Sequence, residues 1–219
     1  MMPEISEMVS VPAGHVTLGG DFFVPAQARA MVLSAHGIDS SRHSTRTRSV
    51  AAELRAAGLG TLALDLLSEH EDRGDAVTAQ QPFDVELLGR RVVAGADWLK
   101  IQPDSRALPI VLCGTGTEAA AVLQAAAELP DRVLSAVVWG GRPDLAGAAL
   151  GRIQVPVLLI AGGRDPGVQR LTEDAAQQLG APHSVRVVPE ATRLFQEPGT
   201  LEQVVAMIKE WCDDRLSAR

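Results

Sequence analysis

The sequence predicts an α/β protein, a mostly parallel eight-stranded sheet with an antiparallel start and helices on both faces. Continuous apolar runs of strand length, such as Ala30–Ala35, Gly60–Leu66 and Val155–Ala161, suit strands buried on both sides. These runs alternate with helical-period stretches of roughly ten to twenty residues, as parallel β-α-β units require. A chain of 219 residues, 46% of them hydrophobic, can bury one substantial core, so one domain over residues 1–219 is expected.

Taken in order, Glu7–Pro12 and His15–Val24 read as two short strands turning at Ala13-Gly14, with Gly19-Gly20 marking a bulge in the second. Ala30–Ala35 is the first fully buried strand, and a loop of Gly, Asp and Ser runs on from His36 to Ser44. Arg48–Ala57 has helical period and stops at Gly58, which suits a C-terminal cap. After the strand Gly60–Leu66, the polar, acidic stretch Ser68–Gln81 reads as a mobile surface excursion, a candidate cover for a pocket. Phe83, Leu87, Leu88, Val92, Ala96 and Leu99 then recur at helical spacing, and Pro103 ends that helix. A strand from Ile110 passes through a glycine turn into an alanine-rich helix, Thr117 to about Leu129. Val133–Trp139, Val155–Ala161 and Ser184–Val188 complete the strands. Arg142–Ile153, Val168–Leu179 and Thr200–Leu216 complete the helices.

Composition narrows the function. The net charge of −7 and a pI near 5.2 argue against nucleic acid or an anionic membrane as partner, since phosphate binding needs clustered Lys and Arg. The mildly basic stretch Arg42–Arg48 reads as a solvated loop and helix start. Two isolated cysteines, Cys113 and Cys212, make neither a disulfide framework nor a metal site and suggest a reducing compartment. The N-terminal residues are acidic where a signal peptide would be basic, and no apolar run reaches membrane-spanning length, so a cytoplasmic protein is expected. No cofactor or metal is called for. The expected partner is a small-molecule ligand or substrate, with a homodimer as an open alternative.

The stretch that organises the chain is Ile110–Val122, where strand, tight turn and helix follow in quick succession. That setting lifts a nucleophilic serine above the sheet edge as G-x-S-x-G, yet here the frame reads Gly114-Thr115-Gly116-Thr117-Glu118. Around it stand Ala35-His36-Gly37 with Ser40-Ser41-Arg42-His43-Ser44, then Leu64–Leu67, Trp139–Leu145, Gly162-Gly163-Arg164-Asp165 and Ala191–Gly199. Over nearly its whole length the chain resembles the small dienelactone-hydrolase-like members of the α/β-hydrolase superfamily. That resemblance implies an α/β-hydrolase fold without a large cap domain. It also implies a nucleophile at Gly116, an acid at Asp165 and a base at Arg193.

At two of these three positions the residue cannot do the work. Gly116 has no attacking atom, and the guanidinium of Arg193 stays protonated and cannot act as a general base. Glu118 replaces the closing elbow glycine. It is either a carboxylate favoured at a helix N-terminus or one facing the pocket and sharing Arg193 with Asp165. A buried Asp165 without its imidazole is expected to pair with Arg193. The resemblance gives Gly37 and Ile38 to the loop supplying one oxyanion N–H and Thr117 the other, so a backbone oxyanion hole is expected to survive. Thr115 and Trp139 join the pocket.

Among residues that could rescue chemistry, Thr115 and Thr117 flank the apex without occupying it, and Cys113 reads as a small buried hydrophobe. His36 is either a structural loop residue or an acid-base group beside Glu118 and Asp165, and His43 is open in the same way. Three functions fit. The first is a degenerate hydrolase that binds a small molecule or runs a lyase, isomerase or cyclase step. The second is an ester or lactone hydrolase with a non-standard nucleophile or activated water. The third is a structural subunit with Trp211 and the Val204, Val205, Ile208 stripe as its candidate surface, although core packing explains those residues more simply.

Overall fold

The computed structural model describes residues 6–37, 41–68, 70–71 and 84–218. Eight strands form one sheet: β1 Glu7–Ala13, β2 Val16–Phe23, β3 Ala30–His36, β4 Leu59–Asp65, β5 Ile110–Thr115, β6 Ser135–Trp139, β7 Val157–Gly162 and β8 His183–Val188. Their order is β1-β2-β4-β3-β5-β6-β7-β8. β1 and β2 run antiparallel to their neighbours, and from β4 onward every pairing is parallel.

Among the described residues the helices that flank the sheet are α1 Thr45–Ala56, α2 Val85–Ile101, α3 Glu118–Glu128, α4 Pro166–Gln178 and α5 Thr200–Ser217. The sequence places each of them to within a few residues. Ser44 starts α1 three residues earlier than apolar period indicates, because its hydroxyl accepts the Thr47 N–H. Between β6 and β7 the expected short helix is 3-10 structure over Pro143–Arg152, broken at Gly147 with φ +52°. The expected bulge at Gly19-Gly20 is also absent, since Ser10↔Gly19 and Val9↔Gly20 pair in unbroken register. Gly19 answers a different need. A Cβ there would lie 2.8 Å from Arg42 Nη1, so the guanidinium packs on bare backbone. The expected excursion over Ser68–Gln81 lies, beyond Ser68, His70 and Glu71, outside the described residues.

Alternation along the buried strands sends side chains to two separate cores. Leu33, Leu64, Leu112 and Leu159 meet α2, the alanines of α3 and α4 on one face. Val32, Val111, Val137 and Ile160 meet α1 and α5 on the other. Val204, Val205, Ile208 and Trp211 all belong to this second core, so the stripe considered as an interaction surface is interior packing. Among the described residues no helix is long and apolar enough to cross a membrane.

The strand order reverses at β3, which lies between β4 and β5. The connection after β3 therefore leaves toward one face and the one after β4 toward the other. This opens a crevice at the carboxyl ends of the strands, where α/β sheets place ligands.

Candidate functional site

β5 ends at Thr115, and Gly116 adopts φ +62°, the left-handed region where only glycine sits without strain. α3 begins at Glu118 with Thr117 as its cap, so the strand-turn-helix elbow is present with glycine at its apex. The Arg142 N–H donates to the Gly116 carbonyl at 3.0 Å and holds the turn.

Close backbone contacts bring three loops to this apex. A Cβ on Gly141 would lie 2.5 Å from the Gly116 oxygen, and one on Gly140 would collide with the Arg193 carbonyl. One on Gly162 would meet the Ala191 and Thr192 oxygens at 2.5 and 2.6 Å. The Arg164 N–H donates to Ala191 O at 2.9 Å. The elbow, the Asp165 turn and the Arg193 loop thus converge through β6 and β7. Phe195 anchors the last of them, 2% exposed and held at φ +49° against Gly140.

The side chains at the apex do not make the expected ion pair. Asp165 Oδ1 accepts the Val168 N–H at 3.1 Å, capping α4 ahead of Pro166. The helix N-terminus compensates this carboxylate, and the exposed Arg193 is compensated by water, so neither needs the other. Among the described residues the neighbouring Arg164 pairs with Glu190, and Arg193 forms no ion pair with Asp165.

Glu118 is fully buried. Its Oε1 packs so tightly on Gly37 that a Cβ there would collide with it, and the Thr117 hydroxyl donates to the same oxygen at 3.3 Å. The side chain therefore lies against the loop after β3. Glu118 stands in the first turn of α3, as the helix-N-terminus reading has it, and does not line the cavity beside α1.

His36 is 6% exposed. Burial, then the field of Arg42, lowers its imidazole to about 4, so it is neutral at pH 7. Arg42 itself is no solvated residue. It pairs with Asp65 at 2.6 Å and lies 3.6 Å from Asp21, tying the loop to the ends of β4 and β2. Burial raises the Asp65 carboxyl against the opposing pull of Arg42. His43 is exposed and sits outside the cavity.

A cavity of about 400 Å³ opens between α1 and the carboxyl ends of β3, β4 and β5. His36, Thr115 and Trp139 line it, as the sequence indicates. Gly37, Gly116, Thr117, Glu118, Asp165 and Arg193 do not line it, and Ile38 lies outside the described residues. Cys113 contributes wall, and burial first pushes its thiol up to about 12, so it stays protonated and unreactive.

Residues not anticipated are Ser34 and Thr61 on the strands, Arg46, Thr47 and Val50 on α1, and Leu194 and Gln196 at the rim. The signal for α1 was present: Thr47, Val50, Ala51 and Leu54 recur at helical spacing. A second unanticipated feature is the buried Arg91, which donates to Leu66 O at 2.6 Å and to both oxygens of Glu71 at 2.9 and 2.6 Å. That guanidinium first, helped by Ser68, holds the Glu71 carboxyl down at about 2.

A model of the dienelactone hydrolase family matches residues 25–211. The chain belongs to the dienelactone hydrolase family. It is similar to the crystal structure of a dienelactone hydrolase from Anabaena variabilis, with 44% identity, a TM-score of 0.90, and coverage of 94% of this chain and 95% of that one. Est1E from Butyrivibrio proteoclasticus shares the fold at 15% identity, a TM-score of 0.79, and coverage of 97% and 100%. Curated relatives in two Mycobacterium tuberculosis strains bear the name "Putative phosphoribosyl transferase" and are 45% identical over 214 residues, 98% of this chain. The chain spans about half their length, 47%. The dienelactone hydrolase family resemblance and the α/β-hydrolase fold inferred from the sequence are thus both found.

Proposed function

We propose that this chain is a dienelactone-hydrolase-family protein without acyl-enzyme chemistry, which uses the cavity beside the elbow to bind a small molecule or to promote a non-hydrolytic step. The observation that carries this reading is Gly116 at the elbow apex. An acyl-enzyme needs an attacking oxygen or sulfur there, and a base to accept its proton. Arg193, whose loop meets Gly140 beside the elbow, holds its proton at all physiological pH and accepts none.

Glu118 adds a third obstacle. Tetrahedral intermediates are stabilised by donors aimed at the developing oxyanion. The Glu118 carboxyl packed on Gly37 occupies the space beside one wall of that hole, where a forming oxyanion would have to sit. The oxyanion hole expected to survive is, on this reading, disabled from within.

Hydrolysis by another nucleophile has less support. Cys113 lies in the strand with a raised thiol, Asp165 is committed to capping α4, and Glu118 lies off the cavity. A purely structural subunit would have no use for an open 400 Å³ cavity with polar groups in its wall. As for phosphoribosyl transfer, the relatives so named are about twice as long. We place that activity outside the half that corresponds to this chain. The deciding experiment exposes the protein to activated aryl esters and a serine-reactive fluorophosphonate. No turnover above background and no label are expected, and rapid turnover with a labelled Ser, Thr or Cys would refute the reading.

A further inference from the structure

We infer that the amino-terminal half of α1 is a lid over the cavity, hinged on the anchored carboxyl half of the helix and latched to the sheet by Arg42. The inference rests on the reading of the cavity as the working site and names what controls entry to it. α1 forms one wall of the cavity through Arg46, Thr47, Val50 and Ala51. Ala63 and Cys113 belong to the wall that the sheet supplies. The space lies between the two walls, so outward movement of the first turns of α1 widens it.

The two halves of α1 are held unequally. No residue from Thr45 to Ser49 is buried, whereas Val50 and Leu54 are buried and belong to the second core. Polar anchors add to the carboxyl half. Arg55 Nε donates to the Thr61 hydroxyl at 2.8 Å, Glu53 pairs with Lys209 of α5 at 2.8 Å, and Arg29 donates to the Ala57 carbonyl at 2.9 Å just past the helix end. At the amino end, the Ser44 cap and the Arg48 bond to the His43 carbonyl stay within the segment itself. Few buried apolar contacts put this end among the parts of a fold that open locally at low cost, with the hinge near Val50.

Arg42, two residues before the Ser44 cap, ties that end to the sheet. Its Nη1 meets Asp65 at the end of β4 at 2.6 Å, and its Nε lies 3.6 Å from Asp21 on β2. The guanidinium packs on the bare backbone of Gly19, where a Cβ would stand 2.8 Å from Nη1. Its side chain is 13% exposed, so water competes weakly with the carboxylates. This contact is made of charge and hydrogen bonding at the end of one flexible side chain. It can let go by rotation about that side chain's own bonds and leave both cores intact, which a contact made by core packing could not do.

The test reads Cys113, the thiol in the cavity wall, against Cys212, which is buried in the second core and does not line the cavity. Both are labelled with methyl methanethiosulfonate in mildly alkaline buffer and quantified by peptide mass spectrometry. Arg42→Gln and Asp65→Asn each speed labelling of Cys113 by about ten- to a hundredfold, the loss expected of one charged hydrogen bond, and leave Cys212 unchanged. Amide hydrogen exchange over residues 45–50 quickens by a similar factor while residues 53–56 hold. Gly19→Ala removes no charge but pushes the guanidinium from its seat, and it moves both readouts in the same direction. The double variant, Arg42→Gln with Asp65→Asn, opens no further than either single change, because one contact is shared. Unchanged Cys113 labelling in both Arg42→Gln and Asp65→Asn overturns the latch. A parallel rise at Cys212, or equal acceleration at residues 53–56, overturns the lid, since the core has then loosened as a whole. None of these readouts uses a ligand or an ester, so the lid can fail while the cavity reading stands, and the aryl-ester and fluorophosphonate experiment judges that reading separately.

Discussion

Restoring a hydroxyl at the elbow, Gly116→Ser, tests the loss of the nucleophile and the integrity of the scaffold together. At φ +62° a side chain costs about 1–2 kcal/mol. For a domain of this size each kcal/mol lowers the melting temperature by roughly 2–4 °C, so a fall of about 2–8 °C is expected. The variant should still hydrolyse p-nitrophenyl acetate only at background, because the hydroxyl has no base. Adding Arg193→His supplies one in a loop already seated against Gly140. The base contributes roughly two to four orders of magnitude where the rest of the site functions. Adding Glu118→Gly then removes the carboxylate from Gly37. With an oxyanion donor worth about 10²–10³ in rate, the triple variant should exceed the double by about a hundredfold or more. Stopped-flow release of p-nitrophenol and fluorophosphonate labelling at position 116 give the readout. The reasoning is refuted if Gly116→Ser alone matches the triple variant, or if Glu118→Gly makes no difference once the other two changes are present.

Other consequences follow from single side chains. Phe195→Ala should cost about 3–5 kcal/mol in urea unfolding, since a buried aromatic pins the Arg193 loop to Gly140; a cost under about 1 kcal/mol would show that the loop is held by backbone contacts alone. Glu71 titrates near 2 in the folded protein against an ordinary 4.5, so its contribution is present above pH 4.5 and is lost as pH falls toward 2. Glu71→Gln should flatten the stability curve across that window. His36 behaves in the opposite chemical sense: its folded value near 4 lies below the ordinary 6.5, so the unfolded chain takes up the proton first. Stability should therefore decline as pH falls from 6.5 to 4 and level off below. His36→Gln should remove that slope, and its imidazole resonances in the wild type should move only near pH 4.

The sheet was legible because its evidence is local and redundant. Each buried strand is an uninterrupted apolar run, and each helix carries its own period and stop. The elbow was legible for the same reason, since Gly114–Glu118 lies wholly within one turn. What escaped depends on which face a side chain takes after the chain has turned. Arg42 and Arg46 are four residues apart in one basic stretch, yet Arg42 is locked to Asp65 and Arg46 lines the cavity. No charge count separates those fates. Arg91 was hidden inside an amphipathic helix, where its partner Glu71 lies across an acidic, aperiodic stretch. The expected Asp165–Arg193 pair treats the carboxylate as uncompensated once its imidazole is gone. The N–H groups at the start of α4 offered the carboxylate a nearer partner.

The contrast between apex and cavity bears on what this chain retains. The loops at the apex are held together by backbone contacts, Gly140 on Arg193, Gly141 on Gly116 and Gly162 on Ala191. Those contacts run through the backbone and do not depend on the side chain at position 193, so that group can be exchanged at little cost to the fold, while position 116 carries only the strain of its φ. The cavity stands in the opposite position: Val50, Cys113 and Trp139 of its wall belong to the second core, so a change there costs stability as well as shape. Trp139→Ala should cost about 3–5 kcal/mol in urea unfolding, whereas Arg193→Gln at the exposed end of the apex should cost under about 0.5 kcal/mol; equal costs would refute the distinction.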